Sequence, residues 1–120
     1  MSPYADKLNA TKQEYPFAGW REYYDDGLEQ YTEENCAEVE AIFNTLITDL
    51  IALGENATEA KKIAAFQKAI EATNELDEEL IETGEREEIC ELTNSMTVAC
   101  GLNPADYGDG EGLASEWREW

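Results

Sequence analysis

The stretch CAEVEAIFNTLITDLIAL, residues 36–53, carries the strongest periodicity in the sequence and decides the fold. Its apolar residues recur at intervals of three and four, the spacing that places side chains on one face of an α-helix. The stripe consists of Cys36, Val39, Phe43, Leu46, Leu50 and Leu53, widened by Ile42, Ile47 and Ile51. The pattern predicts a long amphipathic helix that turns this face toward a hydrophobic core and ends at Gly54.

A second amphipathic helix is predicted after a short link. Asn56 is expected to cap its start, with Glu59 three residues later as in a capping box. Thr83-Gly84 is expected to end it. Its buried face is predicted to consist of Ile63, Phe66, Ile70, Thr73, Leu76 and Leu80. Two such helices joined by a short link pack as an antiparallel hairpin.

Shorter elements flank this hairpin. Pro3 favours a helix start and Pro16 ends whatever precedes it, because proline suits the first helical position and restricts the residue before it. A helical face then follows, made of Phe17, Trp20, Tyr24, Leu28 and Tyr31. A further helix is predicted from Glu85 to Cys100, capped by Gly101 and blocked by Pro104. Leu113, Trp117 and Trp120 are expected to dock the tail.

These elements predict one all-α domain over residues 1–120: a small helical bundle of four to five helices with an antiparallel central hairpin and a docked C-terminal tail. It comprises an aromatic-rich N-terminal arm (1–31), a helical core (33–101) and a loop with a tryptophan-containing tail (102–120). A chain of this length suits a single core. It has neither the ~18 consecutive apolar residues of a membrane span nor the features of a signal peptide, so we expect a cytoplasmic protein.

Charge is the main functional datum of the sequence. Twenty-eight acidic residues against eight basic ones give a formal net charge of −20. Residues 22–40 hold eight acidic residues and no basic one, and residues 71–91 hold ten acidic residues with Arg86 alone to oppose them. Such a surface repels nucleic acid and anionic membrane, so neither is an expected direct partner.

The residues of the common catalytic sites are missing. The chain has no histidine, which excludes Ser-His and Cys-His pairs, histidine-ligated zinc and the Glu-x-x-His motif of di-iron bundles. Cys36, Cys90 and Cys100 match no zinc or redox spacing and are expected to be buried free thiols. The acidic loop 106–111 lacks the calcium-loop pattern. We therefore expect no enzyme, no cofactor and no metal site, with a carboxylate-dependent hydrolase or metal protein as the third alternative.

The charge points instead to a protein partner. Solubility of a small domain needs a net charge of only about 2 to 8, so the excess indicates an acidic face complementary to a basic protein surface. Where that surface normally holds nucleic acid, carboxylates would imitate phosphates. One predicted patch consists of Glu71, Glu75, Glu78, Glu79, Glu82, Glu85 and Glu88. The second consists of Asp25, Asp26, Glu29, Glu33 and Glu34.

Aromatic residues offer a second kind of contact. Trp20, Tyr23 and Tyr31 are predicted as exposed anchors among the carboxylates, and the competing interpretation of the N-terminal aromatics is core packing. The alternative function is a structural or housekeeping interaction protein, including a self-associating one, that binds through its aromatic face while the carboxylates only confer solubility.

Part of the chain resembles a known family. AFQKAIEATNELDE at residues 65–78, the helix around residues 88–102 and the closing WREW at 117–120 resemble a family of small acidic helical bacterial proteins of uncharacterised function. In size, charge and lack of catalytic residues the chain is similar in type to toxin-neutralising immunity proteins and to phage-encoded anti-restriction and anti-CRISPR proteins. The resemblance implies an inhibitor that acts by binding.

Overall fold

The computed structural model describes residues 3–25, 27, 32–76, 81 and 83–120, apart from the side chains of residues 23–25 and 83. The described ranges contain short 3₁₀ helices at Thr11–Glu14, Pro104–Asp106 and Gly108–Gly110, and no strand. The α-helices are α1 (Pro3–Ala10), α2 (Phe17–Asp25), α3 (Glu33–Leu53), α4 (Glu59–Thr73), α5 (Thr83–Ala99) and α6 (Ala114–Trp117). The predicted all-α bundle is confirmed.

Helix α3 is the centre of the bundle and packs against α1, α2 and α4. The Thr32 hydroxyl caps its start by accepting a hydrogen bond from the Asn35 amide at 3.0 Å. Val39 and Phe43 are fully buried, as the apolar stripe predicts. The helix ends at Gly54, whose φ of 87° suits glycine, and Leu53 beside it is 37 % exposed, so its prediction as a core residue is wrong.

Helix α4 forms the predicted hairpin with α3 across the link 54–58. The cap is Thr58 rather than Asn56: its backbone is extended and its hydroxyl accepts from the Lys61 amide at 3.3 Å. The helix also ends at Thr73, well before the predicted end at Thr83-Gly84, and Thr83 is instead the first residue of α5. Leu80 lies outside the described residues.

Among the N-terminal aromatics whose side chains are described, Tyr4, Phe17 and Trp20 are core residues. Tyr4 is buried and donates its hydroxyl to the Leu50 carbonyl oxygen at 3.0 Å. Phe17 packs edge-on against Trp20, with ring centroids 5.2 Å apart, and stacks on Phe43 at 5.9 Å. Core packing is therefore confirmed for these residues. The rest of the predicted helical face lies outside the description: Leu28, Tyr31 and the side chain of Tyr24.

The C-terminal part docks as expected. Gly101 ends α5 in a left-handed conformation. Its amide donates a hydrogen bond to the Val98 carbonyl oxygen, and the Leu102 amide donates one to the Thr97 carbonyl oxygen, both at 3.0 Å. Leu113 is fully buried. The Trp120 indole donates to the Thr73 hydroxyl at 2.9 Å, which fastens the tail to the end of α4.

One buried cation joins three parts of the fold. Lys62 is only 5 % exposed, and its ammonium donates to the carbonyl oxygens of Glu55 and Cys100, each at 2.8 Å. It also lies 5.3 Å from the centroid of the Tyr4 ring. These carbonyls follow the ends of α3 and α5, where helix dipoles place partial negative charge. Sequence analysis did not single out this residue.

Within the described ranges, no helix combines the length and the apolar composition that crossing a bilayer requires.

Candidate partner-binding surface

The first half of α3 presents exposed carboxylates. Glu33, Glu34, Glu38 and Glu40 are all exposed. Carboxylates are favoured near a helix N-terminus because the dipole is positive there, and the Thr32 cap fixes where this helix begins. Glu34 and Glu38 lie one turn apart, which places them on the same face of the helix.

The end of α4 adds two further predicted carboxylates. Glu71 is exposed in the last turn and accepts a hydrogen bond from the Gln67 amide at 2.9 Å. Glu75 is exposed in the turn after the helix, where its backbone amide donates to the Ala72 carbonyl at 3.2 Å. Because α3 and α4 are antiparallel, the start of α3 and the end of α4 lie at the same end of the hairpin.

Between the two helices runs an apolar groove of about 230 Å³, which we call the α3–α4 groove. Its lining consists of Ala41, Ile42, Thr45, Leu46 and Asp49 from α3, and Ala65, Lys68, Ala69 and Ala72 from α4. At one end Lys68 Nζ lies 3.5 Å from Asp49 Oδ2, and both side chains are partly solvated. At the other end Glu38 precedes Ala41 by three residues and Glu75 follows Ala72 by three. The groove thus has a charge-paired end and an acidic end.

The exposed glutamates at the start of α3 and the end of α4 have no basic side chain as an ion-pair partner among the described residues. All eight basic side chains are among those described, and none of them forms an ion pair with Glu34, Glu38, Glu71 or Glu75. Lys62 is buried and donates hydrogen bonds to backbone carbonyl oxygens instead. These four glutamates therefore present their charge to whatever approaches from solvent.

The predicted patch on α5 is wrong in part. Glu85 is 7 % exposed and Glu88 is half-buried, with its carboxylate accepting from the Trp20 indole at 3.4 Å. The pKa of Glu88 is raised, mainly by burial, and the neighbouring carboxylates of Glu85 and Glu91 add to this effect. The hydrogen bond from Trp20 acts in the opposite direction and lowers the pKa. Glu85 stands four residues before Ile89, which puts it on the inner face of α5, and this spacing was visible in the sequence. The exposed glutamates of this helix are Glu87 and Glu91.

Trp20 is not an exposed anchor, because its side chain is fully buried. The remaining predicted contacts lie outside the description. They are Asp26, Glu29, Tyr31, Glu78, Glu79 and Glu82, together with the side chains of Tyr23 and Asp25. Of the fifteen predicted contact residues, four are exposed among the described residues, at the start of α3 and the end of α4: Glu33, Glu34, Glu71 and Glu75. None of the four lines the α3–α4 groove itself.

A second cleft, of about 280 Å³, lies between α2 and α3. Its lining consists of Phe17, Ala18, Arg21, Glu33, Cys36, Ala37 and Glu40. Burial raises the pKa of the Cys36 thiol, and Arg21 offsets this only in part. Since the thiolate is the nucleophile, a thiol with a raised pKa is inert at neutral pH. Burial likewise raises the pKa of Cys90, which is half-buried, and of Cys100, which is fully buried. All three cysteines are free, as predicted.

The acidic loop 106–111 is tied to the rest of the fold. The Tyr107 hydroxyl donates to the Glu59 carboxylate in a short hydrogen bond, which is the main reason that the pKa of Tyr107 is raised to about 12. The Gly108 amide donates to Glu116 Oε1 at 2.6 Å. Among the described residues, no three Cys, Asp or Glu side chains are grouped as a metal site would require.

Sequence reasoning missed the α3–α4 groove. Its signal was the placement of alanines at groove positions of both helices, since a side chain of one methyl group leaves space between facing helices. Comparison of the chain with protein-family models, with curated proteins and with solved structures found no match.

Proposed function

We propose that this chain is a non-catalytic acidic binding protein, an inhibitor that docks on a basic, nucleic-acid-binding surface of a target protein. Immunity, anti-restriction and anti-CRISPR proteins act in this general way, and the proposal includes a cytoplasmic site of action. The observation that carries it is the set of exposed glutamates on α3 and at the end of α4 that no basic side chain of the chain neutralises.

Electrostatics assigns these carboxylates a defined role. An exposed ion pair nets only about 0.2–1 kcal/mol, because solvent screens it and two side chains lose freedom. A dense array of one sign nevertheless raises association rates by about 10- to 1,000-fold and rejects partners of like charge. The glutamates are therefore expected to set the rate and the specificity of binding.

The proposal is tested with a variant in which four glutamates become uncharged glutamines, and with a control of equal net charge. The test variant carries Glu34→Gln, Glu38→Gln, Glu71→Gln and Glu75→Gln. The control carries the same change at four exposed glutamates elsewhere, Glu55, Glu87, Glu91 and Glu111. Both variants change the formal net charge from −20 to about −16, so a difference between them reports on position rather than on total charge.

Immobilised protein is exposed to host lysate, and the retained proteins are eluted with increasing salt and identified. We expect a nucleic-acid-binding protein that the unchanged chain and the control retain and the test variant loses. The unchanged chain and the control should inhibit the binding of this protein to nucleic acid, or its nuclease activity, and the test variant should not. Equal inhibition by test variant and control, or retention that salt leaves unchanged, would refute the proposal.

A further inference from the structure

We propose that the α3–α4 groove is the anchoring point of this surface, and that its occupant is a basic amphipathic helix of the partner protein. This inference rests on the proposed function and adds to it the kind of partner. An apolar side chain of the partner helix inserts between α3 and α4, while its lysines and arginines contact the glutamates at the acidic end.

The groove provides apolar surface for a partner to bury, which the exposed carboxylates do not. Exposed ion pairs contribute little net affinity, whereas apolar area removed from water contributes in proportion to its extent. Ile42 and Leu46 form part of the lining, and the alanines Ala41, Ala69 and Ala72 leave the space above it open. Insertion of one partner side chain into this space provides the buried centre that interfaces use as a hot spot.

The charges around the groove select the occupant. Lys68 and Asp49 pair at one end. Toward the other end, Glu38 stands one turn before the lining residue Ala41 and Glu75 one turn after the lining residue Ala72, with Glu34 a further turn along α3. A basic helix is therefore attracted to the acidic end, and its positive charges should be concentrated in the half that lies there. A second copy of this chain is a poor occupant, because it brings a net charge of −20 against a surface of the same sign.

Shape points to a helix. The groove runs between two antiparallel helices, and a third helix can lay its own ridge of side chains along such a groove. Anchors spaced at three or four residues on that helix face the groove together. The partner segment that binds the groove is therefore expected to have apolar residues at helical spacing, followed by lysines or arginines.

The test uses two synthetic helical peptides of about four turns. The first carries leucines at helical spacing on one face, with lysines concentrated in one half. The second peptide keeps the same lysines but has a glutamine at each leucine position. Binding to the folded chain is measured by titration calorimetry at about 0.05 M and about 0.3 M salt, where screening differs strongly.

The groove is filled by Ala41→Leu, and independently by Ala72→Leu, which keep a good helix former. Matched controls are Ala52→Leu on α3 and Ala64→Leu on α4, since both alanines are exposed and neither lines the groove. Thermal unfolding followed by circular dichroism identifies any variant that fails to fold, and the other groove variant then carries the test.

We expect the leucine peptide to bind at least about tenfold more tightly than the glutamine peptide. Each groove variant should weaken it by about tenfold, and each control by less than about twofold. Equal binding of the two peptides, or equal binding by groove variants and controls, overturns the groove while leaving the acidic surface in place. Leucine-dependent binding that persists in the Glu→Gln test variant leaves the groove standing and removes the proposed function.

Discussion

The ammonium of Lys62 lies 2.8 Å from the carbonyl oxygen of Cys100, although 38 residues separate the two along the chain. This hydrogen bond joins the start of α4 to the end of α5. The same ammonium also holds the Glu55 carbonyl in the link that follows α3. A single side chain thus fixes the relative positions of three helices.

Replacement of Lys62 by methionine should destabilise the fold by about 2–3 kcal/mol. The methionine occupies similar volume but leaves the buried Cys100 carbonyl and the partly buried Glu55 carbonyl without their donor. Urea unfolding followed by circular dichroism measures the change. Lys61→Met on the exposed neighbour should change stability by less than about 0.5 kcal/mol, and an equal effect of both substitutions would contradict the role assigned to Lys62.

Glu88 should make stability depend on pH. Its pKa is raised in the folded chain, mainly by burial, so the folded state binds a proton more readily than the unfolded state does. Stability from this group therefore increases as the pH falls from neutral through the folded pKa, and decreases as the pH rises. Glu88→Gln should be more stable than the unchanged chain at neutral pH, and its stability should change less as the pH falls from neutral into the acid range.

Protonation of other carboxylates also relieves repulsion across the chain, so Glu87→Gln serves as the control for Glu88→Gln. Glu87 is exposed on the same helix. Urea unfolding curves at several pH values compare the two variants. If the Glu87 variant flattens the profile as much as the Glu88 variant does, the effect comes from total charge and not from burial of Glu88.

Trp20→Ala should cost about 3–5 kcal/mol, because it removes a fully buried ring from the aromatic cluster with Phe17 and Phe43. Trp20→Phe should cost less, since most of the apolar contact remains. Partner affinity, measured on the folded Phe variant, should be unchanged. A loss of binding without a loss of stability would restore Trp20 as a contact residue and favour the aromatic-face alternative.

Asn74→Ala should loosen the C-terminal tail. The Asn74 side chain donates to the Trp117 carbonyl at 3.0 Å and accepts from the Glu119 amide at 2.9 Å. Loss of both bonds should cost about 1–3 kcal/mol and should speed hydrogen exchange at the Glu119 amide and proteolysis near the tail. Gln67→Ala, an exposed change within α4, should leave both rates unchanged.

The long-range architecture was readable because apolar periodicity dominates it. The stripe from Cys36 to Leu50 placed α3, and Gly54 and Gly101 marked helix ends, since each has a conformation that glycine adopts without strain. The docking of Trp120 followed from the cost of leaving a large aromatic side chain in water.

The caps and ends of the helices were harder to predict, because similar residues near one another compete for the same position. Asn56 and Thr58 are both good caps, and sequence alone does not decide which one adopts the extended backbone beside the first helical turn. The early end of α4 also depends on tertiary contacts. The Asn74 side chain contacts the tail there, and the amides of Glu75 and Leu76 donate to carbonyls three residues back rather than four, so the helix ends although the apolar periodicity continues to Leu76.

The candidate surface was predictable only in outline. Charge runs indicated which segments are acidic, but the inward position of Glu85 required its alignment with Ile89 on α5. The α3–α4 groove arises from the facing of two helices, so no single segment contains it. Its acidic end includes Glu38. This residue belongs to the acidic run 22–40, but it was not among the predicted contact residues.

The enclosure of Lys62 gives the folded chain a built-in reporter. Amine-selective reagents have direct access to Lys7, Lys12, Lys61 and Lys68, which are exposed, whereas Lys62 becomes reactive only when the helix ends around it separate. The rate at which mass spectrometry detects a label on Lys62, relative to Lys61 beside it, therefore measures how often the native bundle opens.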